Sequence, residues 1–173
     1  GVINKSYMAL SREMEFHADE IAAHITGHEP LKNSLLRLQL ASQSFDNVIS
    51  FYEGKISENI KTDNLFSAQS FVMIQLAKDK GINIKNNLPH LTLEEINKFN
   101  KSRLVIKDQW ASHPSTDERV ERLESLNLSA PTSEHTPANN LFQDIEKTQQ
   151  SVTHKIFQAV TYQENPSILD YKS

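Results

Sequence analysis

Apolar residues recur at steps of three and four near the start of the chain: Tyr7, Leu10, Met14, Ala18, Ile21, Ala22 and Ile25. That period predicts a helix from about Ile3 to Ile25 with this face buried and Gly27 as its stop. Pro30 suits the first turn of a second helix, carried by Leu31, Leu35, Leu38, Phe45, Val48 and Ile49 and ending before Gly54. The pattern turns polar between Tyr52 and Asn64. Asp63 or Asn64 then caps a third helix, whose apolar positions Leu65, Phe66, Phe71, Ile74 and Leu76 run to Gly81. The stretch "INIKNNLPH" reads as a loop.

A further helical pattern follows in "LTLEEINKFNKSRLVIKDQW", where Thr92 with Glu95 fits a capping box and Trp110 closes the segment. In "SHPSTDERVERLESL", Ser115 or Thr116 caps a short helix; Glu118 stands three after Ser115, and Val120, Leu123 and Leu126 form one apolar line. Residues Leu128 to Pro137 are rich in Ser, Thr and Pro and read as a linker. A last amphipathic helix takes in Leu141, Phe142, Ile145, Val152, Ile156, Phe157 and Val160, and the tail from Gln163 is expected to fray. The expected fold is therefore all-α, an irregular bundle of about five to six helices.

Composition supports this and removes several function classes. Only 4 Gly and 6 Pro among 173 residues leave little turn chemistry for an all-β fold. With a net charge of -4 and scattered Lys and Arg, there is no electrostatic footprint for nucleic acid or an anionic membrane surface. The absence of Cys means that any metal site must use His, Asp or Glu. No apolar run approaches the ~18 to 20 residues of a membrane span, and the start lacks a signal-peptide pattern, so the chain as given is expected to be soluble.

Two segments carry candidate chemistry. In "SREMEFHADEIAAHITGHEP", Glu15 and Asp19 are four apart, on one helix face beside small apolar residues. Carboxylates placed there need a cation, a donor or water. The same charges also suit a solvated face, with Arg12 tied to Glu13 or Glu15. His24 and His28 have metal-ligand spacing, but Gly27 between them breaks the common face, and His17 points elsewhere. In "WASHPSTDERVERL", Pro114 and a cap at Ser115 or Thr116 fix His113 and Arg119 in place. A hydrogen-bond donor and a permanent cation are the pair that stabilises a developing oxyanion. Equally, His113 suits a turn histidine bonded to a nearby carbonyl, and Arg119 a surface partner of Asp117 or Glu121.

Taken together, "SREMEFHAD" is similar to the Ser-Arg-x-x-Glu-aromatic-x-Ala-Asp motif of zinc metallopeptidases of the HtpX and CAAX prenyl endopeptidase type. "SHPSTDERVERL" resembles that family's later His-Pro-x-x-x-x-Arg motif. The resemblance covers roughly Ser6 to Leu38 and Trp110 to Leu126. It implies a gluzincin-type hydrolase, an endopeptidase in which zinc-activated water attacks the peptide bond of a protein or peptide substrate. It implies Glu15 as the third zinc ligand, Asp19 as the support of a ligand histidine, a structural part for Arg12, and His113 and Arg119 at the tetrahedral intermediate. Because the resembled enzymes are commonly integral membrane proteins, it also implies membrane association through a region of the parent that this chain lacks.

The chain departs from the family at one decisive place. The motif His-Glu-x-x-His, which supplies two ligands and the general base, is absent; the one His-Glu pair is His28-Glu29, and Lys32 stands four after His28. With the opening Gly1, this leads to the expectation of a C-terminal fragment with no peptidase activity and no tight zinc site. Residues 1–128 are then the C-terminal part of the peptidase domain with a helical insertion at 52–109, and 129–173 a linker and helical extension. Loss of the preceding helix also allows a homo-oligomer formed by helix exchange. The alternative from another class is a non-catalytic helical interaction module on a peptidase scaffold.

Overall fold

The computed structural model describes residues 2–100, 113–129 and 136–169, without the side chains of 2–5 and 97–100. Six α-helices are formed among them: α1 (Val2–Thr26), α2 (His28–Lys55), α3 (Leu65–Asp79), α4 (Leu93–Asn100), α5 (Thr116–Leu126) and α6 (Ile145–Phe157). The strands are two residues each: β1 (Ile60–Lys61), β2 (Ile84–Lys85), β3 (Leu88–Pro89) and β4 (Ser167–Ile168). The fold is all-α, as the periodicity predicts.

The chain forms two compact units, Gly1–Gln39 with His90–Glu134, and Leu40–Pro89 with His135–Ser173. The boundary falls inside α2. Of the insertion expected at 52–109, residues 52–89 fall in the second unit and α4 in the first, and the second unit also takes the C-terminal extension from His135 on. Trp110 and the middle of the linker, 130–135, lie outside the described residues.

In the first unit α1 packs on α5. Ala23, Leu35 and Leu123 form a buried cluster, and Leu31, Leu126 and Leu128 pack against it. Gly27, at φ 80°, takes the left-handed turn between α1 and α2, a conformation that costs glycine little. The α2 helix begins at His28, two residues before the expected Pro30. The cap at the start of α5 is the capping box expected from Ser115 and Glu118: Glu118 N donates to Ser115 Oγ at 3.2 Å, and Ser115 N to Glu118 Oε2 at 2.7 Å. Thr92 and Glu95 make the same reciprocal pair before α4.

The expected burial of α1 is wrong. Tyr7, Leu10, Met14, Ile21 and Ile25 are all exposed, and the residues turned inward are Asp19 and Ala23. The apolar period is present in α1, on a face other than the one that meets α5. The face that meets α5 is the one carrying Arg12, Glu15 and Asp19, because those charges find partners there, and an apolar period by itself does not require cover.

In the second unit Val48, Tyr52, Leu65 and Ala68 form the buried cluster, with Phe45, Ile49, Val72, Phe157 and Leu169 against it. Asn64 caps α3, its Oδ1 accepting from Phe66 N and Ser67 N, both at 3.1 Å, while its Nδ2 donates to Gln149 Oε1 of α6 at 3.0 Å. The small residues Ala68 and Ala77 of α3 are buried, whereas Phe71 is exposed. Within "INIKNNLPH", β2 and β3 form a hairpin where a loop was expected; Asn86 and Asn87 turn it at φ 53° and 58°. Asparagine tolerates that left-handed geometry, so Asn-Asn served where Asn-Gly is the commoner signal.

Two C-terminal expectations are also corrected. The last helix starts at Ile145 behind the cap Asp144, while Leu141 lies in a short 3-10 turn and is almost fully exposed. The tail does not fray over 163–169. Residues Ser167–Ile168 pair in parallel with Ile60–Lys61. Asn59 Oδ1 accepts from Gln163 N and Glu164 N at 3.0 and 3.1 Å, and Tyr52 Oη donates to Leu169 O at 3.2 Å. These backbone groups needed acceptors, and a left-handed Asn59 at φ 54° turns both of its carbonyl groups toward them.

Replacing Asn64 by Ala removes the α3 cap and the tie to α6 together. Urea denaturation is expected to show a loss of roughly 1–2 kcal/mol, against a few tenths for Asn64→Gly if the cap alone mattered.

Candidate active site

The α1 face that meets α5 carries Arg12, Glu15, Phe16, Asp19 and Ala23, a three-and-four spacing that keeps them in line over about three turns. Opposite them is the start of α5, where buried Pro114 and the Ser115 cap fix the approach of His113, Glu118 and Arg119. Arg12, Glu15 and Asp19 each have a partner there.

Asp19 is 6% exposed. Arg119 grips it with two parallel bonds, Nε to Oδ2 and Nη2 to Oδ1, both at 2.7 Å. This bidentate geometry is the strongest form of the arginine–carboxylate pair. The bonds to Asp19 raise the Arg119 pKa above its ordinary value despite the opposing effect of burial. The remaining terminal nitrogen, Nη1, lies 3.8 Å from Glu15 Oε2. Glu15 Oε1 is also hydrogen-bonded to His113 Nδ1. The His113 ring is otherwise open to solvent. One carboxylate thus stands between a histidine and an arginine.

Arg12 closes the other end of the seam. Its Nη2 donates to Glu118 Oε1 at 2.8 Å and its Nη1 to the His113 carbonyl at 3.3 Å. The backbone and side chain of Ser115 and the Arg12 guanidinium lower the Glu118 pKa, with the Ser115 amide the largest cause. Arg122 adds a stacking contact over the Phe16 ring, 5.9 Å from its centroid.

The two motif segments are therefore brought together across more than ninety residues of sequence. Glu15, Asp19, His113 and Arg119 converge, and Arg12 joins them through Glu118. Neither local alternative holds: Arg12 pairs with Glu118 and not with Glu13 or Glu15, and Arg119 pairs with Asp19 and not with Asp117 or Glu121. The part played by Glu118 beyond its cap was missed. Its spacing from Ser115 announces a capping box, but nothing in sequence announces a partner 106 residues away.

His24 and His28 do not converge. His28 Nδ1 lies 2.7 Å from the Leu128 carbonyl and Nε2 3.4 Å from Glu29 Oε1, so both ring nitrogens are occupied. Lys32, which stands where a second histidine would complete the zinc motif, bonds Glu29 at 2.6 Å and Glu124 at 3.2 Å. Among the described residues no group of three or more His, Asp and Glu side chains is placed to hold a metal.

The family model for peptidase family M48 matches residues 1–127. No curated protein and no solved structure matches the chain.

Two variants test the seam. Arg119→Ala leaves Asp19 shielded without its cation, and a stability loss of roughly 3 kcal/mol is expected in denaturant. Because the folded-state pKa of Glu118 is below its ordinary 4.5, its contribution is present above pH 4.5 and lost as pH falls through the folded value. Thermal melts of the wild type should weaken over that acid window, and Glu118→Gln, which keeps an acceptor but not the charge, should flatten the dependence.

Proposed function

The chain belongs to peptidase family M48, and from that premise we propose that it contributes one zinc ligand and an oxyanion-facing pair to a zinc-dependent endopeptidase. Metal-dependent peptide hydrolysis is the general activity of this family. In this reading Glu15 is the ligand, Asp19 the support of a ligand histidine, and His113 and Arg119 the groups that face the peptide carbonyl. Arg12 has the structural role of holding the start of α5. The observation that supports the reading is the seam itself, which sets Glu15 between His113 and Arg119.

A second feature fits it. Glu15 borders a groove of about 370 Å³ along α1, lined by Tyr7, Leu10, Ser11, Met14 and Ala18. An apolar helix face left open beside a ligand carboxylate suits the approach of the helix that would carry His-Glu-x-x-His. The two bonds of Arg119 leave Asp19 lone pairs that can still accept from an imidazole N–H.

The donor set of this chain alone does not fit a zinc ion. Among the described residues no third His, Asp or Glu joins Glu15 and His113 in a metal-holding group, and His113 is bonded to that same carboxylate. A catalytic zinc needs three protein ligands. We therefore place the remaining two ligands and the general base outside these 173 residues. The match over residues 1–127 supports reading 1–128 as the peptidase part and 129–173 as an extension. No helix among the described residues is long and apolar enough to cross a membrane. Membrane association of the whole protein and a protein or peptide substrate rest on the resemblance of the two motifs.

Calorimetry is the first test: the 173-residue chain should give no sub-micromolar, stoichiometric zinc binding, and observing it would overturn the assignment of the missing ligands. In a full-length protein carrying His-Glu-x-x-His, Glu15→Ala should weaken zinc and abolish casein cleavage. His113→Ala should instead retain zinc and lower kcat by about a hundredfold or more. Wild-type cleavage by both variants would show that the residues are wrongly assigned.

A further inference from the structure

The α1 helix carries an uncovered apolar stripe: Tyr7 is 70% exposed, Leu10 59%, Met14 64%, Ile21 51% and Ile25 68%. Steps of three, four and seven line these residues up along most of the 25-residue helix, with Ala18 in the gap at the middle. A continuous apolar stripe of that length on an otherwise charged helix marks a surface that another element covers. The edge of the stripe toward α5 is already taken, since Glu15 and Asp19 there hold His113 and Arg119.

The opposite edge shows what kind of element fits. It carries Glu13, His17, Glu20 and His24, acid and histidine in alternation at spacings of four, three and four, which keeps all four on one side of the stripe. Glu13, His17 and His24 are exposed and Glu20 is half-buried. Reversing the direction of the helix exchanges acid for histidine at every place. An antiparallel copy turned about Ala18 therefore brings Glu13 level, to within about one residue, with His24 of the second copy, and His17 with its Glu20. The stripe has the same symmetry: Leu10 comes level with Ile25, and Met14 with Ile21. A parallel copy would instead set each glutamate against its own counterpart, with like charges facing one another.

We propose that two copies of this chain pair through α1, antiparallel about a two-fold axis near Ala18, with stripe on stripe and the Glu13, His17, Glu20 and His24 edges facing each other. A patch complementary to itself in this way is what a two-fold dimer requires. Covering the five apolar side chains on both copies removes at most about 1,300 Å² from water, the lower end for stable interfaces, so the expected dimer dissociates at micromolar concentration. The zinc reading brings an outside helix to the same face, and the two occupants exclude one another. The pairing uses only residues of this chain and stands whether or not that reading holds.

Sedimentation equilibrium of the 173-residue chain should show a dimer at roughly 100 µM that dissociates on dilution. Ile21→Lys, on an exposed position, should give a monomer with unchanged helicity by circular dichroism. His17→Glu, which sets two acids face to face, should weaken the dimer about tenfold or more, whereas His17→Lys should not. The chain has no cysteine, so Glu13→Cys combined with His24→Cys provides a test of direction. These positions lie about 16 Å apart along one helix, too far for a bond within a copy, and mild oxidation should link position 13 of one copy to position 24 of the other. A chain that stays monomeric at that concentration would overturn the proposal and leave the face to an outside helix. A dimer that survives Ile21→Lys, or that forms no link between positions 13 and 24, would overturn it too and point to exchange of helices.

Discussion

The first unit depends on the pairing of Asp19 with Arg119. A carboxylate 6% exposed between two helices is tolerable only with a cation bonded to it, since an unpaired charge shielded from water costs several kcal/mol. The bidentate grip supplies that cation, and its planar geometry also sets the rotation of α5 against α1. Once that rotation is set, His113 and Glu118 come to Glu15 and Arg12 with no freedom to choose other partners. The apolar contacts of Ala23 and Leu123 then stabilise an arrangement whose specificity comes from charge.

This order of causes explains which features were legible in the sequence. Caps were legible because their chemistry is local: Asn64 before α3, Ser115 with Glu118 and Thr92 with Glu95 all lie within three residues of the groups they satisfy. The two motif segments were legible as a pair through resemblance, and the geometry gives that pairing a physical basis, since the residues bond one another. Burial was not legible on α1, because a stripe of Tyr7, Leu10, Met14, Ile21 and Ile25 has the same period whether or not anything covers it. Nor was the fate of the tail, because the acceptors that hold Gln163, Glu164 and Ser167 belong to Asn59, more than a hundred residues earlier.

The second unit is built on a different principle. Its helices meet through Tyr52, Leu65 and Phe157, and its irregular segments are tied down by single side chains that serve two elements at once. Asn64 caps α3 and holds α6, and Asn59 turns the chain while accepting from the tail. Thr153 belongs to this set, because its oxygen completes the start of α3 from within α6. Such residues satisfy backbone donors that a short strand or a loop would leave unpaired.

The two units differ in how their polar side chains are used. Glu15 meets His113 and Arg119 on one side and borders the exposed α1 groove on the other. In the second unit Thr62 and Thr153 give their oxygens to backbone donors at the start of α3. The two cases differ in what satisfies the fold. The Glu15 carboxylate already has Arg119 and His113 beside it, so a new partner there must compete with His113. The threonine hydroxyls are neutral, and their oxygens hold backbone N–H groups whatever the charge around them. That difference makes the α1–α5 contact sensitive to charge and the start of α3 insensitive to it.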